Sequence, residues 1–258
     1  MDLRLAGRRA IVTGGSRGIG RAIAHALLAE GVHVVIAARD AEVLKSAAAD
    51  LTARTNGTVI PVVTDTGSDE SVRALVARAV DELGGVDILV NNAARPGGAT
   101  SPDGTAGLPT AAVAEDFNVK VLGYLRTSQA VAPHFIAQRW GRIVNIGGLS
   151  ARQVGGVSAS IRNIGVAALT KTLADELGPH GVTVNVVHPG LTSTDGYDGR
   201  FTLAPEILAT AAERTAIRQV VTADELAAVV TFLASPLAVA VTGESIAAGG
   251  GTPGPIHY

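Results

Sequence analysis

The run Ala10-Ile11-Val12-Thr13-Gly14-Gly15-Ser16-Arg17-Gly18-Ile19-Gly20 constrains this chain more than any other stretch. Its apolar start reads as a buried strand, and Ile19, Ile23 and Leu27 then recur at helical spacing. Strand, tight turn and helix in that order open a parallel α/β unit. Gly14 permits the turn, Gly18 lets backbone approach a pyrophosphate, and Gly20 lets the helix pack against the strand. The N–H groups of the first helical turn would then face phosphates. A dinucleotide site lined by Gly14, Ser16, Arg17, Gly18, Ile19 and Gly20 is the expectation.

Apolar runs alternate with amphipathic stretches along the rest of the chain. Strands are expected at 10–12, 32–37, 59–63, 88–90, 142–146, 183–187 and 245–248, with helices near 17–29, 41–54, 69–83, 110–138, 159–178, 205–217 and 223–234. Continuous apolar strands between helices imply an α/β fold, Rossmann-type and doubly wound, with a predominantly parallel seven-stranded sheet covered by helices on both faces. Neither a repeat nor a long linker divides the chain, so 1–258 reads as one domain, with 195–222 as a substrate-side lid. Tyr197, Phe201, Leu203, Ile207 and Leu208 in that lid suit a small, partly apolar substrate.

A net charge of −2 gives no nucleic-acid footprint. Cysteine is absent, which removes disulfides, zinc–thiolate sites and a thiol nucleophile together, and no metal is expected. The N-terminus carries Asp2, Arg4, Arg8 and Arg9 and lacks the apolar core of a signal peptide. Leu226 to Gly243 is uncharged, but Ser235-Pro236 divides it into a buried helix and a turn better than a membrane span. A cytoplasmic protein without a membrane or nucleic-acid partner is expected.

The spacing Thr13-Gly14-x-x-x-Gly18-x-Gly20 resembles the short-chain dehydrogenase/reductase family, and the likeness runs from about Leu5 to Gly251. Several stretches carry it. Asp65-Thr66 follows the third strand, where the family's aspartate binds the adenine edge. Asn91-Asn92-Ala93-Ala94 is similar to the Asn-Asn-Ala-Gly motif that stabilises the central strand, Asn92 and Ala93 lining the cofactor cleft. Pro189-Gly190-Leu191-Thr192-Ser193-Thr194 matches the Pro-Gly-x-x-x-Thr turn that holds the carboxamide and phosphates. Arg39, ending the second strand, and Arg17 both suit a 2′-phosphate, so NADP(H) is expected over NAD(H), although Asp40 still offers a carboxylate to a ribose. Asn118 is matched to the helical asparagine that in the family holds a water of the proton relay.

The resemblance breaks where the family keeps its catalysis. There a tyrosine protonates the developing alkoxide, a lysine four residues later lowers its pKa and holds the nicotinamide ribose, and a serine orients the carbonyl. This chain's three lysines are Lys45, Lys120 and Lys171, preceded four positions earlier by Ala41, Asp116 and Ala167. No Tyr-x-x-x-Lys pair therefore exists. Counting back from Leu169-Thr170-Lys171 puts Ala159 at the tyrosine position and Asn163 at the lysine position, and Gly148 stands for the serine. Asn118 and Asn163 remain as candidate catalytic groups, the latter towards the nicotinamide ribose. Ser150 and Tyr197 are the substitute hydroxyls within reach. Ser158 and Arg162 are also four apart, but one residue is about 100° of helix rotation, which turns them partly away.

Three readings follow: an NADP(H)-dependent oxidoreductase without the usual acid, a non-redox enzyme using the same pocket for cyclisation, isomerisation or elimination, and a silent subunit. The first is preferred from the resemblance. An iminium acceptor is the substrate that needs no proton, and ordinary ketone reduction is expected to be poor. The family also implies a homodimer or homotetramer joined through the helices near 110–138 and 159–178.

Overall fold

The computed structural model describes residues 2–55, 57–194, 197, 204–251 and 253. Strands β1 (Arg9–Thr13), β2 (His33–Ala38), β3 (Val59–Val63), β4 (Ile88–Asn91), β5 (Gly141–Ile146), β6 (Val182–Pro189) and β9 (Ser245–Ala248) form one sheet in the order β3-β2-β1-β4-β5-β6-β9. Every pairing in it is parallel. A separate short pair joins β7 (Thr192–Ser193) to β8 (Val221–Thr222). Pro61 is tolerated because β3 is an edge strand, paired only with β2.

Alternation along the strands builds two cores. Val12, Ile36, Val90 and Val144 face α1 (Gly18–Ala29), α2 (Ala41–Thr55) and α8 (Ala223–Ala234). Their neighbours Ile11, Val35, Leu89 and Ile143 face α3 (Asp69–Leu83), α5 (Gly123–Gln138) and α6 (Val157–Leu177). The strand order reverses between β1 and β4, and ligands of such sheets lie beyond the carboxyl ends of the strands at that reversal. The doubly wound sheet anticipated from the sequence is the sheet observed.

The helix expected over 110–138 is broken. Thr110–Phe117 (α4) and α5 are separated by a π turn, Asn118–Leu122. A π turn inserts an extra residue into the helical ladder and so rotates everything beyond it. Directly after it, Gly123 lies so close to the loop after β3 that a Cβ there would meet Thr66 at 3.1 Å. The other boundaries shift little: α6 starts at Val157, and α7 is Pro205–Glu213. No helix among the described residues is long and apolar enough to cross a membrane. The uncharged C-terminal run ends α8 at Ala234 and turns through Pro236–Ala238.

Candidate active site

The dinucleotide turn is held from behind by the strand beside it. Thr13 Oγ1 accepts the backbone N–H groups of Asn92 and Ala93 at 3.0 and 3.1 Å, and the Asn92 amide donates to the carbonyls of Thr13 and Gly14 at 3.2 Å each. Gly20 packs so tightly that a Cβ would lie 2.3 Å from the Gly14 carbonyl oxygen and 2.4 Å from Asn92 Nδ2. Gly18 is the opposite case. Its φ is +53°, and a Cβ there would meet only the Thr194 methyl at 3.6 Å, so that side of the turn opens towards the groove. Helix α1 begins at Gly18 with no side-chain cap and no acidic residue in its first turn. Helices α3 and α8, by contrast, are capped by Ser68 and by a Thr222–Glu225 capping box, with acidic first turns. A helix start that lacks its own anion is suited to an external one.

Arg17 is half-buried and Arg39 exposed, and neither guanidinium has an ion pair or hydrogen bond among the described residues. The Asp40 carboxylate instead accepts the Val43 N–H at 3.1 Å at the start of α2. Asp65 accepts the Gly67 N–H, and Thr66 is buried with its hydroxyl donating to the Val119 carbonyl. Ser16 is buried, while Ile19, Pro189 and Gly190 are half-buried and Leu191 is exposed. Thr192 lies in β7, and Thr194 approaches Gly18. These residues fit a dinucleotide.

The corner expected to hold catalysis is rebuilt. Lys120, in the π turn, is 4% exposed, and its Nζ donates to the Gly147 carbonyl and to Asn163 Oδ1, both at 2.8 Å. Burial brings its pKa down to about 7, the Arg162 charge pushes the same way, and Asp116 opposes both. Asn163 Nδ2 in turn donates to Ser150 Oγ at 2.7 Å. A Cβ at Gly148 would sit 2.6 Å from Asn163 Nδ2. The Asn163 amide thus packs directly against Gly148.

Asn118 is not part of this corner. Its Oδ1 accepts from Arg126 Nη2 at 2.9 Å, and its Nδ2 faces Gly67. Two residues are about 200° of helix rotation, so an element that aims Lys120 at β5 aims Asn118 towards the loop after β3. The sequence does not single out Lys120, since Asp116 rather than a tyrosine stands four residues before it. The one signal for it is that Val119-Lys120-Val121-Leu122-Gly123 places one charge in an apolar run.

Neither of the phenols in described positions takes over. Tyr197 donates to Asp224 Oδ1 at 2.6 Å and lies 3.3 Å from His25 Nδ1, which ties it to α8 and α1 rather than to the β5–α6 corner. Burial, helped by Asp224, pushes its pKa up to about 12. Tyr124 is fully buried and donates to the Ile146 carbonyl. Ser158 and Arg162 turn away as their register implies. Ser158 donates to Asp116 Oδ2 at 2.6 Å, and Arg162 lies 3.4 Å from Asp116 Oδ1 and donates to the Arg95 carbonyl. The Ala99 N–H joins them on Asp116, tying the loop after β4 to α4 and α6. His188 accepts the Gly148 N–H on Nδ1 and pairs with Ser245 through Nε2, and burial brings its pKa down to about 4. It is a packed neutral imidazole. The lid residues Asp195, Phe201 and Leu203 lie outside the described residues.

Residues 14–252 match the family described as enoyl-(acyl carrier protein) reductase. The chain is 34% identical over 252 residues to the short-chain reductase protein NovJ of Streptomyces niveus, covering 95% of this chain and 93% of that one. It is 35% identical over 253 residues to the 3-oxoacyl-[acyl-carrier-protein] reductase FabG of Aquifex aeolicus, covering 97% and 99%. Among solved structures, L-sorbose reductase from Gluconobacter frateurii, complexed with NADPH and L-sorbose, superposes with a TM-score of 0.89 at 27% identity, covering 99% and 100%. A 7α-hydroxysteroid dehydrogenase complexed with NADH superposes at 0.87 with 30% identity, covering 97% and 96%. Matches of this breadth place the chain in the short-chain dehydrogenase/reductase family, whose members are nicotinamide-dependent oxidoreductases.

Proposed function

We propose that this protein is an NADP(H)-dependent reductase of a small, partly apolar carbonyl compound that works without the tyrosine–lysine acid. The observation that carries the reading is the contrast between an intact, uncapped dinucleotide turn and a corner with Ala159, Asn163 and Gly148 in the three key places. Arg17 and Arg39, free of protein partners among the described residues while Asp40 is engaged at the start of α2, support the additional phosphate. The adenine end is assigned to Asp65 and Thr66, and the nicotinamide end to Pro189, Gly190, Leu191, Thr192 and Thr194.

When bound, the nicotinamide supplies hydride at C4. The residues of this chain hold the substrate oxygen and set the local charge. Lys120 is buried near Asp116, a carboxylate already paired from outside the corner by Arg162 and Arg95. That balance suits an oxygen that gains negative charge and disfavours a cationic acceptor, so the iminium substrate expected from the missing acid gives way to a carbonyl. Exposed Val157, Ile161 and Ile164, at 4- and 3-residue spacing along the start of α6, with exposed Val154 in the loop before it, support a homodimer or homotetramer built on α5 and α6.

The test is a panel of small ketones, cyclic imines and iminium ions, each followed by NADPH absorbance. Ketone reduction with one NADPH consumed per product is expected. Product formed without NADPH loss would establish the non-redox reading, and iminium reduction alone would remove the carbonyl assignment.

A further inference from the structure

Lys120 reaches the catalytic corner from the helix across the cleft, and the hydrogen bonds around it have only one consistent direction. An ammonium has donors and no acceptor, so the Asn163 atom 2.8 Å from Nζ is the amide oxygen. The amide nitrogen then faces Ser150, whose oxygen accepts at 2.7 Å. With its oxygen engaged in that way, Ser150 keeps its own proton, for which no acceptor occurs among the described residues. Ser150 is half-buried, two residues beyond the position of the missing serine.

We infer that Lys120 carries from the π turn the positive charge that position 163 has lost, and that it acts as a positioning residue, holding Asn163 so that Ser150 presents its hydroxyl proton to the substrate oxygen. The inference rests on the reductase reading given above. Hydride brings two electrons to the substrate carbon, the C=O π pair moves onto oxygen, and that oxygen accepts the Ser150 hydrogen bond before taking its final proton from water. The groups facing Lys120 are Asp116 from α4, Tyr124 from α5, Arg162 from α6 and His188 from β6. Tyr124 and His188 are neutral across the working range, because burial raises the phenol and lowers the imidazole. Asp116 and Arg162 pair with each other. Lys120 is thus the group of this cluster that changes charge near neutrality.

Two measurements test this separately. The first is an NMR titration of lysine side-chain signals in the protein without cofactor, which needs no activity. Three lysines make assignment by single substitution direct, and Lys45 and Lys171 are both exposed. The Lys120 signal is expected to titrate near pH 7, and a midpoint below 5, which leaves the amine neutral at working pH, overturns the inference. The second is kcat/KM against pH for wild type, Lys120→Met and Lys120→Arg. Wild type should lose activity as pH rises through about 7, because the ammonium is then lost. Lys120→Met should fall about 10²-fold in kcat, with the falling limb abolished and NADPH affinity within twofold. Lys120→Arg should regain part of kcat without the limb. A Lys120→Met enzyme that keeps the wild-type pH profile overturns the positioning role. An enzyme inactive on every carbonyl, with Lys120 still titrating near 7, overturns the reductase reading and with it the catalytic part of the inference.

Discussion

The dinucleotide turn and the β5–α6 corner lie at the same edge of one sheet, yet they differ in how their residues are held. In the turn, each residue is fixed by backbone contacts: Thr13 binds two N–H groups, Asn92 binds two carbonyls, and Gly20 admits no side chain. In the corner, the contacts run between side chains. Lys120, Asn163 and Ser150 form a hydrogen-bonded chain there. Backbone-built sites tolerate little substitution, whereas a side-chain site is exchangeable if its members change as a set. Gly148 and Asn163 show such coupling, because a Cβ at 148 would meet the Asn163 amide nitrogen at 2.6 Å.

The contrast is broken most severely at Gly20. Gly20→Ala drives a methyl into the Gly14 carbonyl and Asn92 Nδ2, and should abolish NADPH binding by calorimetry, more than about 10²-fold, and destabilise the fold by about 1–3 kcal/mol. Next is the substrate-oxygen donor. Ser150→Ala should lower kcat about 10²-fold while leaving the NADPH dissociation constant within twofold, read from steady-state kinetics and a binding titration. Restoring the family serine alone makes matters worse: Gly148→Ser should also lower kcat, by about tenfold, because it displaces Asn163.

Arg39→Ala sharpens the other half of the comparison. It should weaken NADPH binding by about ten- to a hundredfold, corresponding to roughly 1.5–3 kcal/mol, with NADH little changed. Equal affinities for the two cofactors in wild type would remove the 2′-phosphate assignment.

The smallest effect is in stability. Burial lowers the Lys120 pKa from 10.5 to about 7. Between those values the unfolded chain holds a proton that the folded one has released, so stability rises with pH across that window. Below it both states are charged, and the burial penalty is present in full. Lys120→Met has no such group and also leaves two acceptors unpaired, a loss that does not vary with pH. The difference in Tm, variant minus wild type, should therefore fall by about 2–5 °C from pH 6 to pH 9. A constant difference would place Lys120 outside the titrating range.

The sheet and the turn were legible in the sequence because strand alternation and Gly14–Gly20 spacing are local signals that tertiary packing does not reverse. That no tyrosine stands four residues before any lysine was legible for the same reason. The hydrogen-bonded chain through Lys120 was not legible. Asn118 and Lys120 differ only in which side of one helix they occupy, and the π turn that decides this leaves no local pattern in Asn118–Leu122. Tyr197 looked available from its place in the lid, but its partners His25 and Asp224 come from helices far off in sequence.

The central claim is that a retained cofactor turn serves a catalytic corner centred on Ser150 instead of a tyrosine. Its most direct test is a single-turnover experiment in which protein preloaded with NADPH is mixed with a small ketone. NADPH fluorescence and alcohol formation are followed together in wild type and Ser150→Ala. The account predicts one NADPH oxidised per alcohol formed, at a rate about 10²-fold lower in Ser150→Ala with full initial loading in both. Equal rates in the two proteins, or alcohol formed while NADPH persists, would contradict it.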